Sequence, residues 1–352
     1  MPRATLALLL LLLALAVSAV PASAVPGSPD RVPGASLLVP FFETGVNSTT
    51  HPHDTLLVVT NWLFADVIIH YHVWDIDGTA TGLNGNITLG QLDSWSVALR
   101  DLINPASGAI KTQLTEGDYY RGFITIDAVT AATSNNPRQG GFPFRNDNAL
   151  EGFIYYTRLS QGSANGLAMI PLEYVPNTAN GLVREFYSGG GSREEIDSSA
   201  RICAGQLALG EACTATGDDD GVVDRIHLRH FGSVPLNGRS RLVVFAWNTF
   251  TSGGGPSALC EANPGNCSGG GINYPYKRYD ENGTLLIDDT VRLDHVVNVI
   301  EVGGTSAGWV SIWDVVNYQN DTQIYAFSFN SANPAGDPNL TWDAIFEGYI
   351  VP

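Results

Sequence analysis

The chain has 352 residues, of which 44% are hydrophobic and only 15% charged, and its formal net charge is −17. That length and apolar share suffice for one large or two medium domains with a substantial core, and they argue against a disordered acidic tail. The acidic balance argues against nucleic acid and anionic lipid as partners, because both must be neutralised by Lys and Arg.

The N-terminus reads as a secretion signal. Arg3 supplies a basic start, Leu6 to Val20 is apolar, and Ala22-Ser-Ala24 is a small-residue cleavage site, so residues 1–24 are expected to be removed. The apolar run is short for a bilayer span of about 20 residues, and no later segment is long and apolar enough. The expectation is therefore an exported protein (extracellular, cell-surface or periplasmic) with no membrane span after signal cleavage. Residues 25–35 read as a linker.

Beyond it, short runs rich in Val, Ile, Phe, Tyr and Trp alternate with clusters of Gly, Asn, Asp and Pro. They predict strands at 36–42, 55–62, 66–76, 119–127, 151–158, 181–187, 239–248, 274–279, 284–288, 294–302, 307–316, 322–330 and 343–351. In Tyr325-Ala-Phe-Ser-Phe-Asn330 the aromatic side chains point one way and Ala326, Ser328 and Asn330 the other. Asn282-Gly283 marks a hairpin turn, and Asp77-Gly78 is its counterpart. Helix is scarce: the capping box Ser192-Arg-Glu-Glu195 predicts a helix over 193–201, and another is expected near 106–114.

The order of strand phrases occurs twice. Thr55–Asn61, Trp74–Gly78, Ser96–Arg100, Arg121–Asp127 and Glu151–Thr157 are followed by Arg241–Asn248, Tyr279–Gly283, Asp294–Asn298, Ala307–Asp314 and Ile324–Phe329. With so little helix, sheets packed on sheets are expected. The predicted fold class is all-β, with two immunoglobulin-like or related β-sandwich modules over 36–187 and 224–352. Residues 188–223 join them as a Gly-rich, disulfide-tied segment.

The four cysteines form two close pairs, Cys203 with Cys213 and Cys260 with Cys267. In an exported chain, two local disulfides are the simplest reading, with a metal site as the alternative. Ser-Gly-Gly-Gly runs at 188–191, 252–255 and 268–271 mark long loops, and 128–149 is a further polar loop carrying Phe142 and Phe144. Such loops are candidate binding surfaces, with tolerated insertion as the alternative.

The candidate ion site is Gly217-Asp-Asp-Asp-Gly-Val-Val-Asp224. On an EF-hand-type loop, Asp218, Asp220 and Asp224 would offer carboxylates to Ca²⁺ and Val222 its carbonyl. Thr216 and His227 depart from that pattern, and a solvated acidic turn is the alternative. His70 and His72 share a strand face and could hold one transition metal, against the alternative of surface histidines. A hairpin of 55–62 with 66–76 would set His53 near Asp75. Glu194-Glu195-Ile-Asp197 resembles an acidic glycosidase phrase but lacks its closing Glu, since Ser199 stands there. There is no G-x-S-x-G, H-E-x-x-H, P-loop or dinucleotide fingerprint, so no catalytic residue and no cofactor beyond candidate Ca²⁺ is expected. Trp62, Trp74, Trp95, Trp247, Trp309, Trp313 and Trp342 lie in or beside strand runs, as core residues or as stacking platforms for sugars. Six N-x-S/T sequons (Asn47, Asn86, Asn266, Asn282, Asn320 and Asn339) matter only in a glycosylating host.

Leu37-Leu-Val-Pro-Phe-Phe42, Asp54–Asn61, His72–Gly78 and Arg121–Asp127 together resemble a broad set of uncharacterised secreted bacterial proteins with immunoglobulin-like sandwiches. The part from Gly238 onward resembles the later portion of some of them. The resemblance implies export and a sandwich fold and brings no catalytic residues. The function expected is a non-enzymatic surface, structural or adhesive role, through an unknown protein or glycan partner. The alternative is a carbohydrate-binding or carbohydrate-degrading sandwich protein. A third reading, an outer-membrane barrel, fits two module-like halves and the Ile350-Val-Pro352 terminus poorly.

Overall fold

A computed structural model describes residues 32–158, 163–174, 186–187, 225–232, 238–248, 267–268, 271–313, 322–332, 342–347 and 349–351. It is all-β, as the strand phrases predict, with every pairing antiparallel. The first half carries β1 (Ser36–Gly45), β2 (His53–Asn61), β3 (Val67–Trp74), β4 (Ala80–Leu89), β5 (Ser94–Ala98), the short helices α1 (Leu99–Ile103) and α2 (Gly108–Leu114), then β6 (Thr115–Glu116), β7 (Tyr119–Val129), β8 (Leu150–Arg158), β9 (Ser163–Ala168) and β10 (Ile170–Leu172). The second carries β11 (Arg225–His230), β12 (Arg239–Asn248), β13 (Cys267–Ser268), β14 (Gly271–Asp280), β15 (Leu285–Leu293), β16 (Val297–Val302), β17 (Gly308–Trp313), β18 (Thr322–Ala332), β19 (Trp342–Glu347) and β20 (Tyr349–Val351).

The doubled phrase order is a doubled topology. The first half forms one sheet ordered β10-β1-β7-β3-β4 and another ordered β5-β2-β8-β9. In the second, β11, β17, β14, β15 and β20 repeat the first order as β20-β11-β17-β14-β15, and β16-β12-β18-β19 repeats the other. The matching turns agree bond for bond. Asp75 Oδ1 accepts from the N–H groups of Asp77 (3.0 Å) and Thr79 (2.8 Å), and Asp280 Oδ1 from those of Asn282 and Thr284 (both 2.8 Å). Gly78 and Gly283 take φ of 78° and 79°, conformations that a Cβ disfavours and that the Asp-Gly and Asn-Gly dipeptides supply.

Burial separates the halves in one respect. Strand β2 alternates, with Leu57 and Val59 buried and Leu56, Val58 and Thr60 half-buried. Its counterpart β12 is buried without interruption from Leu242 to Ala246. Leu242, Val244 and Ala246 join Ala326 in packing on Leu228, Val310 and Ile312 of the second half's other sheet. Val243, Phe245 and Phe327 belong instead to the core of the first half. Phe327 meets Phe41 (6.5 Å between centroids) and Tyr156 (6.0 Å), and Phe245 meets Phe123 edge-on (5.2 Å). The aromatic face of β18 read from the sequence therefore points at the other half, while its small side chains face its own partner sheet.

Several elements differ from the sequence expectations. Strands β4 and β11 escape the apolar-run criterion because they are polar: Ala80–Leu89 is an edge rich in Gly and Asn, and Arg225–His230 alternates basic with aliphatic residues. The Ser96–Arg100 phrase ends as strand at Ala98 and continues as α1. The expected run 343–351 is two strands, β19 and β20, in different sheets. The expected helix near 106–114 is α2, with Ser107 Oγ accepting from the Ile110 N–H. The helix expected over 193–201 lies outside the described residues. No helix among the described residues is long and apolar enough to cross a membrane.

The register of β1 slips between Val39 and Phe42, and Gly122 sits opposite the slip. A Cβ on Gly122 would run into the Trp74 carbonyl and lie 3.0 Å from the Phe42 ring. Gly122→Ala is expected to cost about 1–3 kcal/mol, since backbone and a packed ring must both shift; a urea unfolding curve measures it.

Candidate functional site

The irregularity in β1 delivers Glu43 to the junction of the two halves. Its strand is wholly buried, so its carboxylate, only 5% exposed, has little access to bulk water and needs partners in the protein. Three cationic or ionisable groups supply them. Arg121 of β7 donates from Nε (2.9 Å) and Nη2 (2.8 Å) to Oε2. Arg241 of β12 reaches Oε2 from Nη1 (2.9 Å) and Oε1 from Nη2 (3.2 Å). His53 Nδ1 lies 3.2 Å from Oε1. Burial alone would push the Glu43 carboxyl up, but the His53 hydrogen bond and the Arg241 and Arg121 charges outweigh it and hold it far below the usual carboxylate range. One carboxylate thus ties a strand of the second half to two of the first.

Around this clamp lies a cleft of about 210 Å³. The first half lines it with Asp54, Tyr119, Tyr156 and Asn165, and the second with Arg239, Glu301, Phe329 and Ser331. Tyr119 is held by stacking on His53 (5.5 Å, 24°) and by the Arg121 guanidinium 5.1 Å from its ring centre. The Arg241 guanidinium stands 5.3 Å from the Phe329 ring centre. The Tyr156 hydroxyl donates to the Phe41 carbonyl at 2.8 Å. Asp54 is buried, which raises its carboxyl. Its Oδ1 accepts from the Thr44 hydroxyl (2.9 Å) and the Thr55 N–H (2.9 Å), fixing the start of β2. Glu43, Arg121 and Arg241 were not among the sequence candidates. The signal available was a charged residue directly after the apolar run Leu37–Phe42; its arginine partners lie 78 and 198 residues away, beyond any local pattern.

His70 and His72 do share a face, with ring centroids 6.2 Å apart, but it is not a solvated one. Both are buried under Phe142, which meets His70 edge-on at 5.4 Å, and beside Trp74, 4.7 Å from His72. His70 Nδ1 lies 3.2 Å from Asn86 Oδ1, while His70 Nε2 and both His72 nitrogens have no hydrogen-bond partner among the described residues. The opposed Asp127 already accepts from the Ser36 and Tyr187 hydroxyls. No group of three metal-ligating side chains gathers among the described residues. Strand β3 pairs with β4 and β7 and not with β2, so 55–62 and 66–76 do not form a hairpin and His53 meets Glu43 rather than Asp75.

Phe142 is buried and Phe144 packs against the core, so the loop after β7 turns its aromatic residues inward. Trp74 is buried, stacked on Phe123 at 5.7 Å; Trp95 stacks on Tyr71; Trp309 lies under the Arg229 guanidinium. Trp62 alone among these four is exposed. The side chains of Trp247, Trp313 and Trp342 lie outside the described residues. So do Asp218, Asp220, Val222 and Asp224, the phrase Glu194–Asp197, Cys203, Cys213, Cys260 and the Cys267 side chain.

No protein-family model matches the chain, and a search of curated proteins finds no match. Among solved structures, the apo lectin of Pleurotus ostreatus aligns with a TM-score of 0.21 and 9% identity over 93% of this chain and 80% of that one. The lectin from Pleurotus ostreatus in complex with GalNAc gives 0.19 and 8% over 92% and 86%. The CupB6 tip adhesin of Pseudomonas aeruginosa gives 0.13 and 10% over 91% and 94%. At TM-scores this low the likenesses carry no argument.

Proposed function

We propose that the chain is an exported, non-enzymatic binding protein that takes its ligand in the cleft between its halves. One observation carries this reading: the buried Glu43 carboxylate of the cleft is saturated. Glu43 is gripped by Arg121, Arg241 and His53 and held far below neutrality, so it has no proton to exchange at neutral pH. Glu43 is thus a structural clamp, and Asp54, the other buried carboxyl of the lining, is engaged by the Thr44 hydroxyl and the Thr55 N–H at the start of β2. At the level of architecture we assign immunoglobulin-like or related sandwiches. The strand order departs from the immunoglobulin pattern, in which the first two strands are neighbours, because β1 and β2 lie in different sheets. Local disulfides at Cys203–Cys213 and Cys260–Cys267 and Ca²⁺ at Asp218, Asp220, Val222 and Asp224 complete the proposal.

The half-buried rings of Tyr119 and Phe329 beside Asn165, Arg239 and Glu301 favour a glycan as the second reading. Planar rings take the C–H face of a sugar, and amide, guanidinium and carboxylate groups take its hydroxyls. Calorimetric titration of the whole chain with an oligosaccharide panel, in Ca²⁺ and in chelator, tests both readings. The glycan reading expects binding that weakens about tenfold or more in Tyr119→Ala. Product analysis on the same mixtures must show no cleavage; turnover that Tyr119→Ala abolishes would overturn the non-enzymatic reading.

A further inference from the structure

At the opposite end of β2, the tip of the first half presents three large apolar side chains to water. Trp62 and Leu92 are 51% exposed and Phe64 80%. They come from two loops, the β2–β3 connection and the β4–β5 turn. One buried side chain fixes both loops. Asn61 Nδ2 donates to the carbonyls of Ala65 and Gly90 (each 2.8 Å), and its Oδ1 accepts from the Leu63 N–H (2.9 Å). The Leu92 N–H donates across to the Leu63 carbonyl at 3.3 Å. Trp62 Nε1 donates to Glu151 Oε2 at 2.5 Å, which sets the indole plane.

The backbone makes the arrangement costlier. Leu92 has φ of 52°, the one non-glycine residue with positive φ among those described. Gly or Asn would adopt that conformation more readily and would hide no less apolar surface. Strain and exposed apolar area therefore coincide on a rigid platform, a combination that stability alone disfavours.

Charge identifies what fits it. Among the described residues, Asp66, Asp93, Asp147 and Glu151 stand around the tip with Arg145, which pairs with Asp147 at 2.7 Å. A second copy of this acidic chain or an anionic membrane would meet like charge there. We infer that the Trp62–Phe64–Leu92 platform docks a segment of another protein that carries an apolar side chain flanked by Lys or Arg. It is an interface with an aromatic centre and a charged rim, separate from the cleft.

The test uses the whole chain and two synthetic peptides, one with a Leu-Phe pair between lysine triplets and one with glutamates in place of the lysines. The lysine peptide is expected to bind, more weakly as salt rises, and the glutamate peptide not to bind. Phe64→Ser, at a site too exposed to affect folding, is expected to weaken binding about tenfold. Leu92→Asn is expected to weaken it while raising the melting temperature by about 1–3 °C, because Asn tolerates the backbone conformation. Absence of lysine-peptide binding, equal binding of both peptides, or unchanged binding in Phe64→Ser would overturn the proposal. So would dimerisation in sedimentation, or retention on glycans, that Phe64→Ser abolishes.

Discussion

Glu43→Gln is expected to destabilise the protein by about 3–5 kcal/mol, although it changes shape hardly at all. The amide leaves the Arg121 and Arg241 guanidiniums, whose side chains are 14% and 22% exposed, converging on a neutral group. A buried pair is worth little against an apolar replacement, but removing one member strands the charge of the other, and here two are stranded. Arg241→Met should cost less, because Glu43 keeps Arg121 and His53. Urea unfolding of the two variants measures the difference. A loss below about 1 kcal/mol in Glu43→Gln would mean that the cluster behaves as a solvated surface pair. The folded carboxyl lies below its unfolded value of about 4.3, so this stabilisation is complete above that pH and is lost as pH falls beneath it.

The second large effect lies at milder acidity. Burial, and then the neighbouring charge of His70, lower His72 from 6.5 to about 4. The folded state therefore holds the ring neutral where the unfolded chain would protonate it. The stability this gives is intact above pH 6.5 and declines as pH falls towards 4, by about 3 kcal/mol for His72 alone. His70 is lowered in the same direction by burial. His72→Leu should reduce the loss between those limits to the part that belongs to His70, while leaving the loss below about pH 4.3 that belongs to Glu43. Burial raises the carboxyls of Asp54 and Asp75, which act in the opposite sense in the carboxylate range, so the upper part of the window isolates the histidines. Unfolding curves at half-unit pH steps would show whether the two windows separate.

What could be read from the chain followed from local chemistry. The turns at Gly78 and Gly283 were legible because only a few dipeptides accept positive φ there, and the strands because their apolar residues cluster. Strands β4 and β11 were not, since a polar edge resembles a loop. The site was the least legible part. Glu43 is one acidic residue among thirty-five Asp and Glu, and nothing near it in sequence announces Arg241. His70 and His72 were read correctly as sharing a face, but their burial depends on Phe142, which lies in a loop with no predicted direction.

The unequal burial of β2 and β12 has a consequence for the two copies of the fold. The first half keeps the outer face of β2 in contact with water, so Leu56 and Val58 remain only half-buried. The second half, cut free, would carry Val243, Phe245 and Phe327 on its surface, side by side on adjacent strands. Equal in topology, the copies are tied by a shared seam: Phe41, Phe123 and Tyr156 of the first half meet those rings, so parting the halves would bare apolar surface on both.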